Sequence, residues 1–492
     1  MPAVVDGLQA LLDHSLIQST ECLLPDAAPE RRFTMLELVH EYAYEHLVAH
    51  DEVSTLQRRH AEHYLGLAEE GARETPGGPG HLRWITRLER EQDNVRAALQ
   101  WALDQREAAL AMRFVAALAP FWQRRDDIAE GTRWLNAALS IGGHDPTVDP
   151  ALHAEALFAL TTLVSWGGAV EPAILAAYPP DRDPLDALLD ACQVLYGDLG
   201  DSAGLAEVLG LRAWKAWRSD YPLAGALHEE QLALARATGN RRGIAGALKG
   251  LGRVIYNLGD FARAFTLLEE SLALYQELGD RHEIAGAYFD LGVAAYYGGD
   301  FPRAEASLER QLVLCRELGD RFGRTGALIH LSGVAGCQGD YERAVRLLDE
   351  ALELVRERGE PESALSLRFR GQVACQQGAW ADAQTAYGAS LRLWQEGGVK
   401  WEIAACLEGL GRVAAGQGDG ARAARVGGAA AELRAQLGAP LPPVDHTWYE
   451  AAVAHMRAVL GEGAFAAAWE EGRSMQLEQA VAFALEPAAT FP

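Results

Sequence analysis

A 40-residue step repeats through the middle of the chain and limits its possible folds more than any other feature. Three segments, beginning at Gly243, Glu283 and Gly323, align without a gap. Their turn signals keep step: Gly259-Asp260-Phe261, Gly299-Asp300-Phe301 and Gly339-Asp340-Tyr341. A second set, Gly279-Asp280, Gly319-Asp320 and Gly359-Glu360, joins each unit to the next. Between turns, apolar residues recur at three and four, as in Leu267, Leu268, Leu272 and Leu274, which is the period of an amphipathic helix. Gly then stops a helix and Asp starts the following one. Each unit is therefore predicted to be a helical hairpin. One hairpin cannot bury both of its faces, so neighbours stack into a solenoid.

Weaker copies flank the regular ones. Ser219-Asp220-Tyr221 opens a second helix one step before Phe261, after a first helix carrying Trp214 and Trp217. Gly378-Ala379-Trp380 falls one residue short of register, and Gly418-Asp419-Gly420 returns to it. Upstream, His153 to Trp166 and Leu185 to Asp198 read as helices, separated by the Pro-rich stretch from Tyr178 to Pro184. That irregular unit, near 167–184, is the expected hinge.

The residues behind this period resemble the tetratricopeptide repeat family: a Leu-Gly pair in the first helix, then small residues early and midway in the second. They are Leu251-Gly252, Ala264 and Ser271; Leu291-Gly292, Ala304 and Gln311; and Leu331-Ser332, Ala344 and Ala351. Gln311 departs from the pattern and predicts looser packing there. The step is longer than the usual 34 residues of the family, as in members with an extended second helix. The resemblance covers roughly 200 to 437 and implies a right-handed solenoid.

The first 145 residues differ. Val5 to Asp13 reads as a helix, Ser15 to Thr20 and Arg32 to Met35 as paired strands, and Glu37 to Ala49 as a helix. Helix, β-hairpin, helix is the end of a winged-helix unit. Three longer helical strings follow, the first two separated by the linker from Thr75 to Gly80. The stretches LLDHSLIQ, RFTMLELVHEYAYEHL, RRHAEHYLGLAE, LEREQDNVRAALQWAL and FWQRRDDIAEGTRWLNAAL, with the tail AAWEEGRSMQLEQAVAFAL, resemble the segment after the ATPase module in bacterial STAND-class regulators of LuxR and SARP type. The resemblance implies an all-α chain: a partial winged helix over 1–50, a helical linker over 51–145, repeats over 146–437 (regular from about 201), and capping helices with a tail over 438–492. It also implies that the array docks an inducer or partner, and that an ATPase module is encoded upstream. Against the family, this sequence lacks the ATPase, the start of the winged helix and a DNA-binding helix-turn-helix after Leu485. It reads as the sensor half made alone, or as a frame that starts inside a longer gene.

Composition removes other classes. Against 69 acidic residues stand 44 basic ones, a net of −25, which opposes bulk binding to nucleic acid or an anionic membrane. The lysines, Lys215, Lys249 and Lys400, are not followed by Ser or Thr, so a GxxxxGK[ST] phosphate loop is excluded. Cys22, Cys192, Cys315, Cys337, Cys375 and Cys406 include no CxxC spacing, which points to a reducing compartment. With Asp6 and Asp13 inside the first apolar stretch and no long apolar run, a cytoplasmic protein is expected.

Candidate chemistry meets plainer readings. Gly409-x-Gly411-x-x-Ala414 matches a dinucleotide fingerprint, but no strand precedes it and it occupies the Leu-Gly place of the repeat. Glu37 and His40, His46 and His50, and His60 and His63 have metal-ligand spacing, yet read better as solvated or capping residues. The pairs Arg31-Arg32, Arg58-Arg59 and Arg124-Arg125 are bounded by acids and read as solvated faces. No GxSxG elbow occurs. No cofactor is expected.

In the resembling family the first helices line a concave groove, with residues flanking the Leu-Gly pair pointing inward. Carried over, these are Trp217; Lys249, Arg253, Tyr256 and Asn257; Phe289, Tyr296 and Tyr297; Arg368, Gln372 and Gln376; and Glu408 and Arg412. Aromatics with Arg, Lys and Asn suit an extended peptide or a small inducer, and the basic residues point to an acidic or carboxylate-bearing one. The competing reading is that the tyrosines pack between hairpins. The leading function is a non-enzymatic sensor and interaction module of a STAND-type regulator. The alternatives are a stand-alone scaffold binding an extended peptide, and an enzyme with an unrecognised site.

Overall fold

The computed structural model describes residues 2–22, 30–72, 78–125, 127–143, 145–176, 181–357 and 361–486. The chain opens with α1 (Pro2–Asp13), the antiparallel strands β1 (Ile17–Cys22) and β2 (Glu30–Met35), and α2 (Glu37–Ala49). A helical body follows: α3 (Val53–Ala72), α4 (Pro79–Arg90), α5 (Gln92–Asp104), α6 (Ala108–Arg125), α7 (Ile128–Gly142), α8 (Pro150–Ser165), α9 (Pro172–Leu175) and α10 (Pro184–Leu199). The hairpins come next, each a first helix and a second: α11 (Ser202–Trp217) and α12 (Tyr221–Ala237), α13 (Arg241–Asn257) and α14 (Phe261–Leu278), α15 (Arg281–Gly298) and α16 (Phe301–Leu318). After them stand α17 (Arg321–Cys337) and α18 (Tyr341–Glu357), α19 (Ala364–Gln376) and α20 (Trp380–Gly397), α21 (Lys400–Gly416) and α22 (Gly420–Leu437). The last helices are α23 (Pro443–Leu460), α24 (Glu462–Arg473) and α25 (Leu477–Leu485). The architecture is a tetratricopeptide-type helical solenoid with a small two-stranded sheet near its N-terminus.

The Gly-Asp signals act as helix stops and starts. Gly239, Gly259, Gly279, Gly299, Gly319 and Gly339 all have positive φ, the conformation a side chain resists and a helix C-terminus uses. The residue after each caps the next helix: Asp260 accepts from the amide of Arg263, Asp300 from that of Arg303, and Asp320 from that of Gly323. The one-residue deletion before Gly378 leaves this device intact, since Gly378 too has positive φ. Gly359-Glu360, and Tyr178 to Pro180 of the Pro-rich stretch, lie outside the described residues.

Within a hairpin the small residues bring the helices together. A Cβ on Gly292 would stand 2.6 Å from Cγ of Leu308, and one on Gly252 2.8 Å from Cγ of Leu268. Ser271, fully buried, donates to the carbonyl of Ala245 at 2.7 Å, and Ser390 to that of Ala364 at 2.7 Å. The loosening expected at Gln311 does not occur. Its side chain is buried, and its amide nitrogen donates to the carbonyl of Gly323 in the following unit at 3.1 Å. A longer polar side chain therefore bridges two hairpins where a small one closes a single hairpin.

The solenoid winds tightly enough for its turns to touch. The amide of Lys400 donates to the carbonyl of Arg218 at 3.0 Å, and the Arg218 guanidinium donates to the carbonyl of Gly397, 179 residues away. One unit further on, a Cβ on Gly259 would stand 2.7 Å from Cγ of Pro440. Roughly four and a half units thus complete a turn. An earlier contact, Trp166 against Phe322 with ring centres 6.4 Å apart, joins the helical body to the array. The expected hinge is pinned on one side: buried Asn136 donates to the carbonyl of Ala169 at 2.9 Å and accepts from the amide of Glu171 at 2.9 Å.

The core has two large clusters, one running from Ala61 to Val208 and the other from Tyr221 to Ala484, beside smaller ones around Leu248 and Met456. None includes α1, the hairpin or α2. In α2 no residue is buried, and Leu38 is 79% exposed. At the other end α24 takes the place beside α22 that a further first helix would hold. A Cβ on Gly472 would stand 1.9 Å from the carbonyl oxygen of Arg425, so these two backbones touch. The intervening α23 is displaced and runs from α21 across to α15.

Replacing Gly292 by Val, which forces two methyl groups against Leu308, lowers stability by about 1–3 kcal/mol. Gly246→Ala, whose new Cβ stands 3.4 Å from its nearest neighbour outside its own helix, Oη of Tyr275, is neutral or stabilising. Urea midpoints for the two variants and the parent check the difference in sign.

Candidate functional site

The first helices turn one stripe each toward the solenoid axis. On α13 the stripe is Lys249, Arg253, Tyr256 and Asn257, and on α15 it is Phe289, Val293 and Tyr297, residues three or four apart along a helix. With Trp214 and Trp217 of α11 and Trp401 of α21 they line a cavity of about 3170 Å³. Its far wall belongs to the helical body and includes Trp84, Pro120 and Arg124. Small-ligand pockets measure about 300–1,000 Å³, so this space is of peptide size.

Aromatic rings close the inner end. The rings of Tyr256 and Tyr297 stack with centres 6.4 Å apart, and Tyr297 meets Trp401 edge-on at 4.8 Å. Behind them Tyr296 packs against Phe369 at 5.7 Å, and its hydroxyl bonds to Gln372 across two units, with its oxygen accepting from Nε2 at 2.9 Å. The contacts of Tyr296 and Tyr297 with α19 and α21 follow from the winding, which carries residues two or more units apart to opposite sides of one axis.

Sequence reasoning named twelve residues for this groove along with Glu408, and the structure divides them. Trp217, Lys249, Arg253, Tyr256, Asn257, Phe289 and Tyr297 line the cavity together. Tyr296, Arg368, Gln372, Gln376 and Arg412 do not. Tyr296 and Gln372 are buried in core contacts, Arg368 is buried against Glu402 and the Tyr297 hydroxyl, and Gln376 and Arg412 lie toward α23. Glu408 is buried in an ion pair with Arg434. Among the lining residues missed are Trp401 and Glu402. Both sit in the first turn of their helix, away from any Leu-Gly pair, and only the winding brings them to the axis.

The electrostatics correct a further expectation. Three of the basic residues do not form a positive strip awaiting an acidic partner, because Lys249, Arg253 and Arg368 each have a carboxylate of their own. Arg253 holds Asp290 through two hydrogen bonds of 3.0 and 2.8 Å, Lys249 pairs with Glu283, and Arg368 with Glu402 at 2.6 Å. Burial opposes the charge of Arg253, but the Asp290 carboxylate outweighs it and raises the guanidinium pKa. Burial likewise disfavours ionised Glu283, yet the Lys249 ammonium holds its carboxyl down at about 2. A signal for the first pair was present: Asp290 is a lone acid inside an otherwise apolar stretch, just before Leu291-Gly292.

Two histidines of the lining, His228 and His330, are pushed down to about 4, in both cases chiefly by burial. His228 faces Gln231 at 2.9 Å, and His330 lies edge-on to Phe289 with centres 5.1 Å apart. The histidines with metal-ligand spacing are engaged locally: Nδ1 of His50 donates to the carbonyl of His46 at 2.7 Å, and His46 bonds to the Tyr42 hydroxyl at 2.8 Å. Among the described residues no group of three or more His, Cys, Asp or Glu is placed to hold a metal ion. None of the described helices is long and apolar enough to cross a membrane.

Comparison with known proteins agrees with the fold. Two models of the tetratricopeptide repeat match, over residues 243–317 and 327–362. A protein of Mycobacterium tuberculosis named "Putative HTH-type transcriptional regulator" is 30% identical over 208 residues, covering 42% of this chain. The chain spans only 22% of the length of that relative. Among solved structures, a Rap protein complexed with competence and sporulation factor is 16% identical with a TM-score of 0.46, covering 80% of this chain and 98% of that one. A STAND protein with a tetratricopeptide repeat sensor from Pyrococcus horikoshii is 14% identical with a TM-score of 0.41, covering 79% and 59%.

The neutral histidines set a pH dependence. The unfolded chain binds protons at His228 and His330 below about pH 6.5, while the folded chain does so only near 4, so stability falls as pH falls through that window. His330→Phe keeps the ring packing and removes one of these protons, while His81, His228 and His282, also pushed down chiefly by burial, keep theirs. Its stability loss between pH 7 and pH 4, read from urea unfolding at both pH values, is smaller than that of the parent by up to about 3 kcal/mol.

Proposed function

We propose that this chain is the sensor and partner-binding array of a helix-turn-helix-type transcriptional regulator of the STAND class, and that it works without catalysis. One observation carries the reading: the axial cavity is of peptide size, lined by Trp214, Trp217, Tyr256, Tyr297 and Trp401, with the ion pairs Lys249–Glu283 and Arg253–Asp290 in its wall. Such a lining recognises shape and aromatic or apolar side chains, and the fixed ion pairs supply oriented hydrogen-bonding groups. The occupant is accordingly an extended or helical peptide segment with apolar side chains, or a large inducer of similar surface. The relationship to the mycobacterial regulator supports a role in gene control, and the resemblance of the N-terminal stretches supports the STAND class.

The mechanism follows from the winding. A ligand that fits the cavity differently in tight and relaxed turns shifts the array between them, and by no more than that difference in affinity. The exposed α2 and its hairpin are where the change is passed on to the rest of the regulator.

Photo-crosslinking tests the site. Benzoylphenylalanine at Phe289, on the axis, captures a discrete partner or ligand from the native host. The same group at Val313, which is exposed on the second helix α16, does not. A yield about tenfold higher at 289 is expected, and equal yields at both positions contradict the reading.

A further inference from the structure

The C-terminal end of the axis is covered by α23, and its contacts there differ from those elsewhere in the array. In α22 a continuous face is buried, whereas in α23 only Met456 is. Val444, Val453, Met456 and Leu460 pack against the core, and beside them α23 turns polar and aromatic side chains inward. Asp445 accepts a hydrogen bond from Nε1 of Trp448 at 2.8 Å, and the Arg412 guanidinium lies 5.2 Å from the centre of the Trp448 ring. Beneath them Arg434 and Glu408, each about 95% buried, are joined by a 2.8 Å hydrogen bond. This floor is incompletely satisfied: Nη1 of Arg434 and Oε1 of Gln376 are buried without hydrogen-bond partners. The Asp445 carboxylate lies in the field of Arg434, Arg368 and Arg412, yet within 4.0 Å of none of them.

A buried guanidinium N–H without a partner is costly, and a carboxylate is its strongest acceptor. Residues three apart on a helix share a face, so a carboxylate followed at the third position by an aromatic ring matches Arg434 and Arg412 together. α23 presents that pair but does not bring its carboxylate within ion-pair distance, and Met456 is its one fully buried residue.

We infer that Gln376, Glu408, Arg412 and Arg434 form a docking site for an acidic, aromatic-bearing helix of a partner protein, and that α23 is the resident occupant which the partner displaces. The inference rests on the reading of the axis as the partner-binding site and adds its regulation. As a tethered competitor, α23 lowers the apparent affinity of every other helix by the fraction of time it is bound.

The test uses the full-length chain and a fluorescent synthetic peptide of residues 443–460. Trp448→Ala removes the cation–ring contact, so hydrogen exchange across α23 rises while that of α15 and α16 is unchanged, and the peptide binds about tenfold tighter than to the parent. Adding Arg412→Ala to that variant abolishes the gain. Asp445→Asn, milder and on the same face, moves both readouts in the same direction. The inference is overturned if α23 exchanges no faster in Trp448→Ala, if it does so without tighter peptide binding, or if Arg412→Ala leaves the gain intact. Should Trp448→Ala disturb α15, the Asp445→Asn pair of readouts decides in the same way. Failure of the axial reading itself shows elsewhere, as equal crosslinking at 289 and 313 in the parent protein.

Discussion

Edge-to-edge contact between successive turns is the constraint on which the rest of the molecule depends. The first amide of a helix has no partner within its own helix. In α21 that amide, on Lys400, finds one in the carbonyl of Arg218 a full turn away, and the Arg218 side chain answers by capping Gly397. With the turns joined, the concave faces of hairpins far apart in sequence confront each other across a narrow axis. Tyr297 then reaches Trp401, and Tyr296 reaches Phe369 and Gln372. A looser solenoid of the same hairpins would leave these side chains on an open wall with nothing opposite.

That closeness also decides the chemistry. A cation on an open concave wall is free to bind an acidic ligand, but on a narrow axis its own neighbours reach it first. Arg253 with Asp290, Lys249 with Glu283 and Arg368 with Glu402 are all pairs made across adjoining hairpins. Replacing both members of such a pair by apolar residues costs far less than removing one, because the surviving charge would be left buried alone. The cavity wall is thus rich in aromatic rings and in internal ion pairs. Among the buried polar groups left without a hydrogen-bond partner is Nη1 of Arg434, near α23.

What could be read in the sequence was local. The Gly-Asp signals gave helix ends directly, since positive φ at Gly and a cap at Asp each need only a few neighbouring residues. Glu37–Ala49 was legible to the residue, and β1 was displaced by two. Inward-facing residues near the Leu-Gly pairs were legible as well, because the periodicity of one helix places them. The pitch of the superhelix was not, for it is the sum of small rotations over many units. Hence Trp401 was missed, Tyr296 was placed in the groove when it belongs to the core, and the basic residues were left without their carboxylates. The displacement of α23 had no local signal either: its sequence is that of an ordinary amphipathic helix, and α24 takes its place through a backbone contact between Gly472 and Arg425.

Hydrogen exchange at a single amide tests the winding most directly. Lys400 and Arg321 are both the first residue of a first helix, but only the Lys400 amide has a partner among the described residues. If the turns are joined in solution, Lys400 exchanges about a hundredfold more slowly than Arg321. Equal, rapid exchange at Lys400 and Arg321 in the parent protein would mean that the turns stand apart, and with them the axial cavity as described would be lost.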